Sequence, residues 1–207
     1  WPAGPVVLLT HGTLAHNGME IIATLQQLLL ENGVSSLALT LGLGLGDRHG
    51  MYDCKTPHRH HHTDALDEIG MWLAWLKQQG VESLVLLGQA RGGNQTAWFA
   101  AELDDPVIKK VGLIAPQTWD KDKDAADYEK KYAKPLAPVL ARANDLVAKK
   151  QGDAMLENID FIYSSDTSAS ASAVVSYYNP DPRFDSIYLL PKIGKPVLVF
   201  VGSEDKV

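Results

Sequence analysis

Two groups of residues in this chain have the types and spacing to do chemistry. The first is Leu86-Leu87-Gly88-Gln89-Ala90-Arg91-Gly92-Gly93. An apolar run ends in a G-x-x-x-G turn and continues into a small-residue helical pattern, the layout of a nucleophile elbow. Such a turn holds its central residue in a strained backbone conformation, and side chains at the flanks would strike the neighbouring strand and helix. It also points helix N-terminal N–H groups at whatever reacts there. The central residue here is Ala90, which has neither hydroxyl nor thiol and cannot form a covalent acyl intermediate. The same glycines would also suit a plain tight turn or a phosphate-type loop.

The second group is His58-Arg59-His60-His61-His62, with His49, Asp53 and Cys54 nearby. Histidine-rich tracts bind metals, but this spacing matches no closed zinc set. The expectation is a solvated or partly packed loop over the mouth of a site, where Arg48, His49 and Tyr52 could touch a substrate. No metal and no cofactor is expected. The run from Gly42 to Gly46 imitates a dinucleotide loop only superficially, because no helix begins at its last glycine.

These residues need a scaffold, and the chain alternates strand and helix patterns. Apolar, β-branched runs at Val6–Thr10, Val34–Thr40, Val81–Leu87, Val111–Ala115 and Pro196–Val201 read as buried strands. Amphipathic stretches between the first four read as helices, one ending before Gly33 and one running from Asp64 to Gly80. This rhythm predicts an α/β fold, a mostly parallel sheet with helices on both faces. It breaks between Trp119 and Pro191, where Lys, Asp and Ala dominate. That span reads as an inserted helical subdomain, with Ser164–Ala173 as loop. Five of its tyrosines, Tyr128, Tyr132, Tyr163, Tyr177 and Tyr178, either line a pocket or simply pack the insertion.

In open α/β sheets, ligands sit beyond the carboxyl ends of the strands. Besides the elbow, two further strand ends carry chemistry-bearing residues, Thr10-His11-Gly12-Thr13 and Gly202-Ser203-Glu204-Asp205. Gly12 permits close backbone approach. His11 and Gln89 are candidate pocket neighbours, although His11 equally suits a structural histidine. Asp205 is a candidate carboxylate or part of an exposed acidic turn, with Glu204 as its fallback.

In this order, the H-G strand, the elbow, the insertion and the G-x-x-D strand resemble the α/β-hydrolase superfamily over most of the chain. The resemblance implies a core at residues 1–118 and 191–207 with a helical cap at 119–190. It implies serine-type acyl-enzyme hydrolysis of a small ester-like substrate. Ala90 would stand at the nucleophile position, Gly12, Thr13 and Arg91 would form the oxyanion hole, and Asp205 would be the triad acid. The superfamily's histidine would follow Asp205, yet all seven histidines fall at or before His62. The expected base therefore lies beyond Val207, the core is expected to be incomplete at both ends, and the chain is read as an inactive or incomplete hydrolase. The alternative is a non-catalytic pseudo-hydrolase that binds a ligand or a protein partner.

Composition narrows the other classes. The chain has 207 residues, 45% hydrophobic and 21% charged, with 19 Lys+Arg and 25 Asp+Glu for a net charge of −6. That balance argues against a nucleic-acid backbone as the main partner. A single cysteine excludes an intrachain disulfide framework. No apolar run reaches the roughly 20 residues of a membrane-spanning helix. Substrate identity, oligomeric state and localisation, whether cytoplasmic or periplasmic and secreted, stay open.

Overall fold

The computed structural model describes residues 4–203. Five strands form one sheet: β1 (Val6–Thr10), β2 (Ser35–Ala38), β3 (Leu84–Gln89), β4 (Ile108–Ile114) and β7 (Val197–Phe200), in the spatial order β2-β1-β3-β4-β7. All four pairings are parallel. Between the first strands run helices α1 (Glu20–Glu31), α2 (Asp64–Gln78) and α3 (Arg91–Glu102). The chain goes from β1 outward to β2, then crosses back to place β3 on the other side of β1. The strand order therefore reverses between β1 and β3, and a crevice opens at their carboxyl ends.

Every side chain of β1 is buried, which is why its run is continuously apolar rather than alternating. Helix α2 buries Ala65, Ile69, Leu73 and Leu76 on one face, begins with Asp64 and Asp67 near its positive end, and stops before Gly80 at φ 82°. Helix α3 is different. Nine consecutive residues, Gly92 to Ala100, are buried, including Asn94, Gln95 and Thr96. It is the central helix behind the crevice, and its polar side chains need partners inside the protein.

Two expectations need correction. The span between β4 and β7 is not wholly helical. It holds α4 (Lys121–Tyr132), α5 (Ala137–Ala148), an antiparallel hairpin of β5 (Met155–Phe161) and β6 (Ser164–Ser170), α6 (Ala171–Tyr178) and the short α7 (Ser186–Leu189). The Ser164–Ala173 run, read as loop from its Ser/Ala content, is strand and then helix, because small residues let β6 lie against the fully buried Leu156 and Phe161 of β5. Strand β7 forms where expected, but as an edge strand of the described sheet it leaves Leu198, Val199 and Phe200 exposed.

Candidate active site

Position 90 sits where β3 turns into α3. Ala90 has φ 52° and ψ −122°, outside the regions ordinary residues favour. Backbone hydrogen bonds hold it there: Ala90 N–H donates to the Ile114 carbonyl at 3.0 Å, and the Ala90 carbonyl accepts from Gly93 N–H at 3.0 Å and from Gln117 N–H at 3.0 Å. The flanking glycines are a steric requirement. A Cβ at Gly88 would stand 2.5 Å from both the Gly92 carbonyl oxygen and Thr96 Oγ1, and one at Gly92 would run into the His11 carbonyl. The G-x-x-x-G spacing thus encodes three backbones in close contact, those of β3, α3 and the β1 exit.

Gly12 continues this packing, since a Cβ there would lie 2.6 Å from Gln89 Oε1 and 3.2 Å from the Ala90 Cβ. Thr13, Ala90 and Arg91 open together onto a cleft of about 600 Å³. Arg91 is the first residue of α3, so its N–H has no intrahelical acceptor. Among the described residues neither Thr13 N–H nor Arg91 N–H donates to any protein acceptor. The far wall comes from the β4 exit and the insertion, including Gln117, Trp119, Asp124 and Tyr163. Burial raises the Asp124 carboxyl, opposed by a hydrogen bond from Trp119 and the charge of Arg91. The chemical content of this arrangement is a small pocket with a polarising helix N-terminus and no nucleophilic atom at its centre.

Behind the cleft, Arg91 is fastened at three points. Its Nε donates to Thr13 Oγ1 at 3.0 Å, its Nη1 donates to His62 Nδ1 at 3.3 Å, and its guanidinium lies 5.2 Å from the Tyr177 ring centroid. His62 is fully buried, and its Nε2 is 3.0 Å from Asn94 Oδ1. Accepting from Arg91 at Nδ1 leaves the proton on Nε2, facing Asn94. Burial and the adjacent Arg91 charge lower the His62 pKa to about 3. Asn94 then donates to the Arg183 and Phe184 carbonyls, each at 3.0 Å.

Of the two forms expected for the histidine tract, solvated or packed, it takes the packed one. It runs extended beside β6, with His58 N–H donating to the Ser168 carbonyl and Ser170 N–H to the His58 carbonyl. Extended chain alternates its side chains, so His58, His60 and His62 point inward and are buried while Arg59 is exposed. His58 Nδ1 and His60 Nε2 are hydrogen-bonded at 3.1 Å, and His60 Nδ1 lies 2.7 Å from the Tyr177 hydroxyl. Among the described residues His58 Nε2 has no hydrogen-bond partner. Burial lowers the His58 pKa to about 4 and that of His60 to about 3. No cluster of three or more His, Cys, Asp or Glu suited to a metal occurs among the described residues.

The candidate pocket residues His11, Gln89, Arg48, His49 and Tyr52 do not line the cleft. His11 is buried. Its Nδ1–H donates to the Gly12 carbonyl at 2.8 Å, and its Nε2 accepts from Leu41 N–H at 3.0 Å, so the ring staples β1 to the loop after β2. Burial lowers its pKa to about 4. Gln89 turns toward Gly12, where its Oε1 is buried with no hydrogen-bond partner among the described residues. Arg48 directs its donors to the carbonyls of Leu41, Gly50 and Ala15. Tyr52 is buried, stacks on His58 and donates to the Pro57 carbonyl at 3.1 Å. His49 is out in solvent beside Asp47. Of the five tyrosines, Tyr163 reaches the cleft, whereas Tyr128 and Tyr177 are buried in the interior. Asp205 and Glu204 lie outside the described residues. Sequence reasoning missed Asn94 and the inward role of His62. The H-x-H-x-H alternation was the available signal for the latter.

Comparison with family models and with curated proteins finds no match. Comparison with solved structures finds many. Est1E from Butyrivibrio proteoclasticus, solved with ferulic acid bound, has a TM-score of 0.64 at 18% identity, over 98% of this chain and 70% of that one. The alpha/beta hydrolase GrgF from Penicillium sp. sh18 has a TM-score of 0.63 at 14% identity, over 98% of this chain and 72% of its own. A monoacylglycerol lipase from Paleococcus ferrophilus has a TM-score of 0.59 at 21% identity, over 94% and 71%. At such identities the likeness establishes the fold, and the fold of this chain is that of the α/β-hydrolases.

Proposed function

We propose that this chain carries the ester site of a serine-type α/β-hydrolase, with its covalent step removed at position 90. The observation that carries the reading is the backbone at Ala90, strained at φ 52° and ψ −122° and placed at the mouth of a cleft beside two unpaired N–H groups. A strained conformation with no chemistry to justify it is costly to keep, and here the surrounding hydrogen bonds maintain it in full. In this reading Thr13 and Arg91 N–H polarise the carbonyl of an ester-like small molecule, and Gly12 lets the backbone come close enough to do so. Asp205 is the triad acid. Residues 119–190 are the cap, whose Trp119 and Asp124 give the cleft its outer wall. Without a hydroxyl at position 90 no acyl-enzyme forms, and what remains is binding and carbonyl polarisation.

The test is Ala90→Ser. Made in a chain extended past Val207 to supply the triad histidine and incubated with p-nitrophenyl acetate, the variant is expected to release a burst of p-nitrophenol and to carry an acetyl adduct on the introduced serine by mass spectrometry. The unaltered protein serves as the blank. An adduct elsewhere, or none, overturns the reading.

Ala90 itself favours a second reading, in which the pocket binds a carboxylic ester or acid as a pseudo-hydrolase without turnover. Equal affinity of the unaltered chain and the Ala90→Ser variant for a carboxylate ligand by calorimetry, together with no adduct on the introduced serine, would select it.

A further inference from the structure

The tip of the β5–β6 hairpin is made from residues that such a turn ordinarily avoids. Phe161 pairs with Ser164, so Ile162 and Tyr163 alone form the connection. Both have positive φ, 28° and 71°. A two-residue turn with both central residues at positive φ is ordinarily filled by Asn-Gly or Gly-Gly, because a Cβ is strained there and a β-branched side chain more so. An isoleucine followed by a tyrosine is therefore kept against a backbone cost, and contacts around it must hold it in place.

Packing accounts for Ile162. It is buried, and it lines a small void with Thr13, Leu14 and Arg91, which docks the hairpin tip beside the elbow. Packing does not account for Tyr163, which is 65% exposed and stands on the wall of the cleft that Ala90 opens onto. Two tyrosine hydroxyls brace the turn. Tyr178 of α6 accepts from Ile162 N–H at 3.0 Å, and Tyr132 of α4 accepts from Tyr163 N–H at 2.8 Å. The Tyr163 ring is held as well, with Lys131 Nζ 3.3 Å from its centroid. A large aromatic surface is thus fixed at the cleft without being buried, and a ligand that meets it finds its side-chain entropy already restricted.

Lys131 also decides what the ring can receive. With an ammonium on one face, a second cation on the other face would meet a like charge across the ring. A planar π-system has no such penalty and gains from stacking. Trp119, the other aromatic residue of this cleft, is half-buried and lies 6.2 Å from the Phe184 ring, so it is fixed wall, whereas Tyr163 is an open lip. We propose that Tyr163 is a specificity-determining residue of the cleft, selecting esters that carry an aromatic ring by stacking on that ring. This rests on the ester reading above.

The unaltered chain has no nucleophile at position 90, so ester binding is read without turnover. The probes are methyl benzoate and its saturated counterpart methyl cyclohexanecarboxylate, titrated by calorimetry. Tyr163→Leu is expected to weaken methyl benzoate about three- to tenfold and to change the saturated ester by less than about twofold, whereas Tyr163→Phe keeps both affinities. Tyr163→Gly is expected to lose the ring preference as Tyr163→Leu does, yet to melt at or above the temperature of the unaltered protein, since glycine relieves the strain at φ 71°. Equal losses for the two esters, or a ring preference that survives Tyr163→Leu, overturns the proposal. So does a Tyr163→Gly variant that melts more than about 4 °C lower, because the ring would then be a packing residue. A ring preference that depends on Tyr163, with no acetyl adduct on the Ala90→Ser variant of the extended chain, supports the aromatic contact and overturns the ester reading. An adduct without the ring preference does the reverse.

Discussion

Acidification should unfold this protein well above the pH at which its carboxylates titrate. Four histidines, His11, His58, His60 and His62, are 0–1% exposed, and burial holds their pKa values at about 4, 4, 3 and 3. In the unfolded chain each returns to about 6.5. Above pH 6.5 both states are neutral at these sites and nothing is lost. As the pH falls below 6.5 the unfolded state takes up protons that the native state refuses, so stability declines until the native pKa values are reached. At pH 5.0 each histidine accounts for about 2 kcal/mol of that loss. Four independent sites total about 8 kcal/mol, or about 6 if the hydrogen-bonded pair His58 and His60 titrates as one unit. Native stabilities of about 5–15 kcal/mol leave little after such a loss. Asp105 and Asp181, held below the usual carboxylate range by Lys77 and Arg183, contribute only at lower pH. Glu68 and Asp124, raised by burial, work in the opposite sense and reduce the loss. Urea unfolding followed by tryptophan fluorescence from pH 7.5 to 5.0 reads the effect directly. Near pH 5 the slope should correspond to three to four protons. His58→Phe, which keeps a ring against Tyr52 and removes one titrating site, should lower that slope by about one proton. A free energy constant to within about 1 kcal/mol over this range would refute the buried, neutral assignment of the tract.

Gly92→Ala should cost more than about 4 kcal/mol and abolish a normal melting transition, because its Cβ collides with the His11 carbonyl and lies 2.8 Å from the Thr10 carbonyl oxygen. Gly80→Ala, with open space but φ 82°, should cost only about 1 kcal/mol; similar melting temperatures for the two would contradict the steric account of the elbow. Phe161→Ala removes a fully buried ring at the hairpin, packed on His58, Tyr177 and Tyr178, and should cost about 3–5 kcal/mol. Because those partners join the histidine tract to the insertion, unfolding should remain one transition by calorimetry, whereas separate melting of the insertion would show that the tract is not a shared core.

The elements that formed as expected are those whose signal is local. Val6–Thr10 needed only its own five residues to be read as a buried strand, and it is one. Helix α2 carries both its apolar face and its Gly80 stop within a single stretch. Misreadings arose where the deciding contact is distant. The Ser/Ala run 164–173 has weak intrinsic strand preference and becomes β6 because β5 pairs with it. The run Pro196–Val201 has a buried-strand pattern, yet burial depends on its neighbours, and β7 stands at the edge of the described sheet.

The same distinction divides the candidate site. The elbow is legible because its steric code is written in consecutive residues: Gly88 and Gly92 are glycines because backbones of the same turn and of the adjacent strand exit leave no room for a Cβ. The side chains behind it come from four separate segments. Thr13 meets Arg91, Arg91 meets His62, His62 meets Asn94, and Tyr177 of the insertion closes over the guanidinium. Each of these polar side chains, taken alone, reads as a surface residue, and burial becomes tolerable only when its partner arrives from another segment. The histidine tract shows how far this goes. Its composition points to solvent or metal, while its period-two spacing points to a buried extended chain, and the choice between them is made by Tyr177 and Asn94, which lie far along the chain. A hydrogen-bonded interior of this kind is retained at a cost in acid stability that an apolar core would not carry. In the proposed ester reading, that cost and the unrelaxed strain at Ala90 both fall on the elements that build the site.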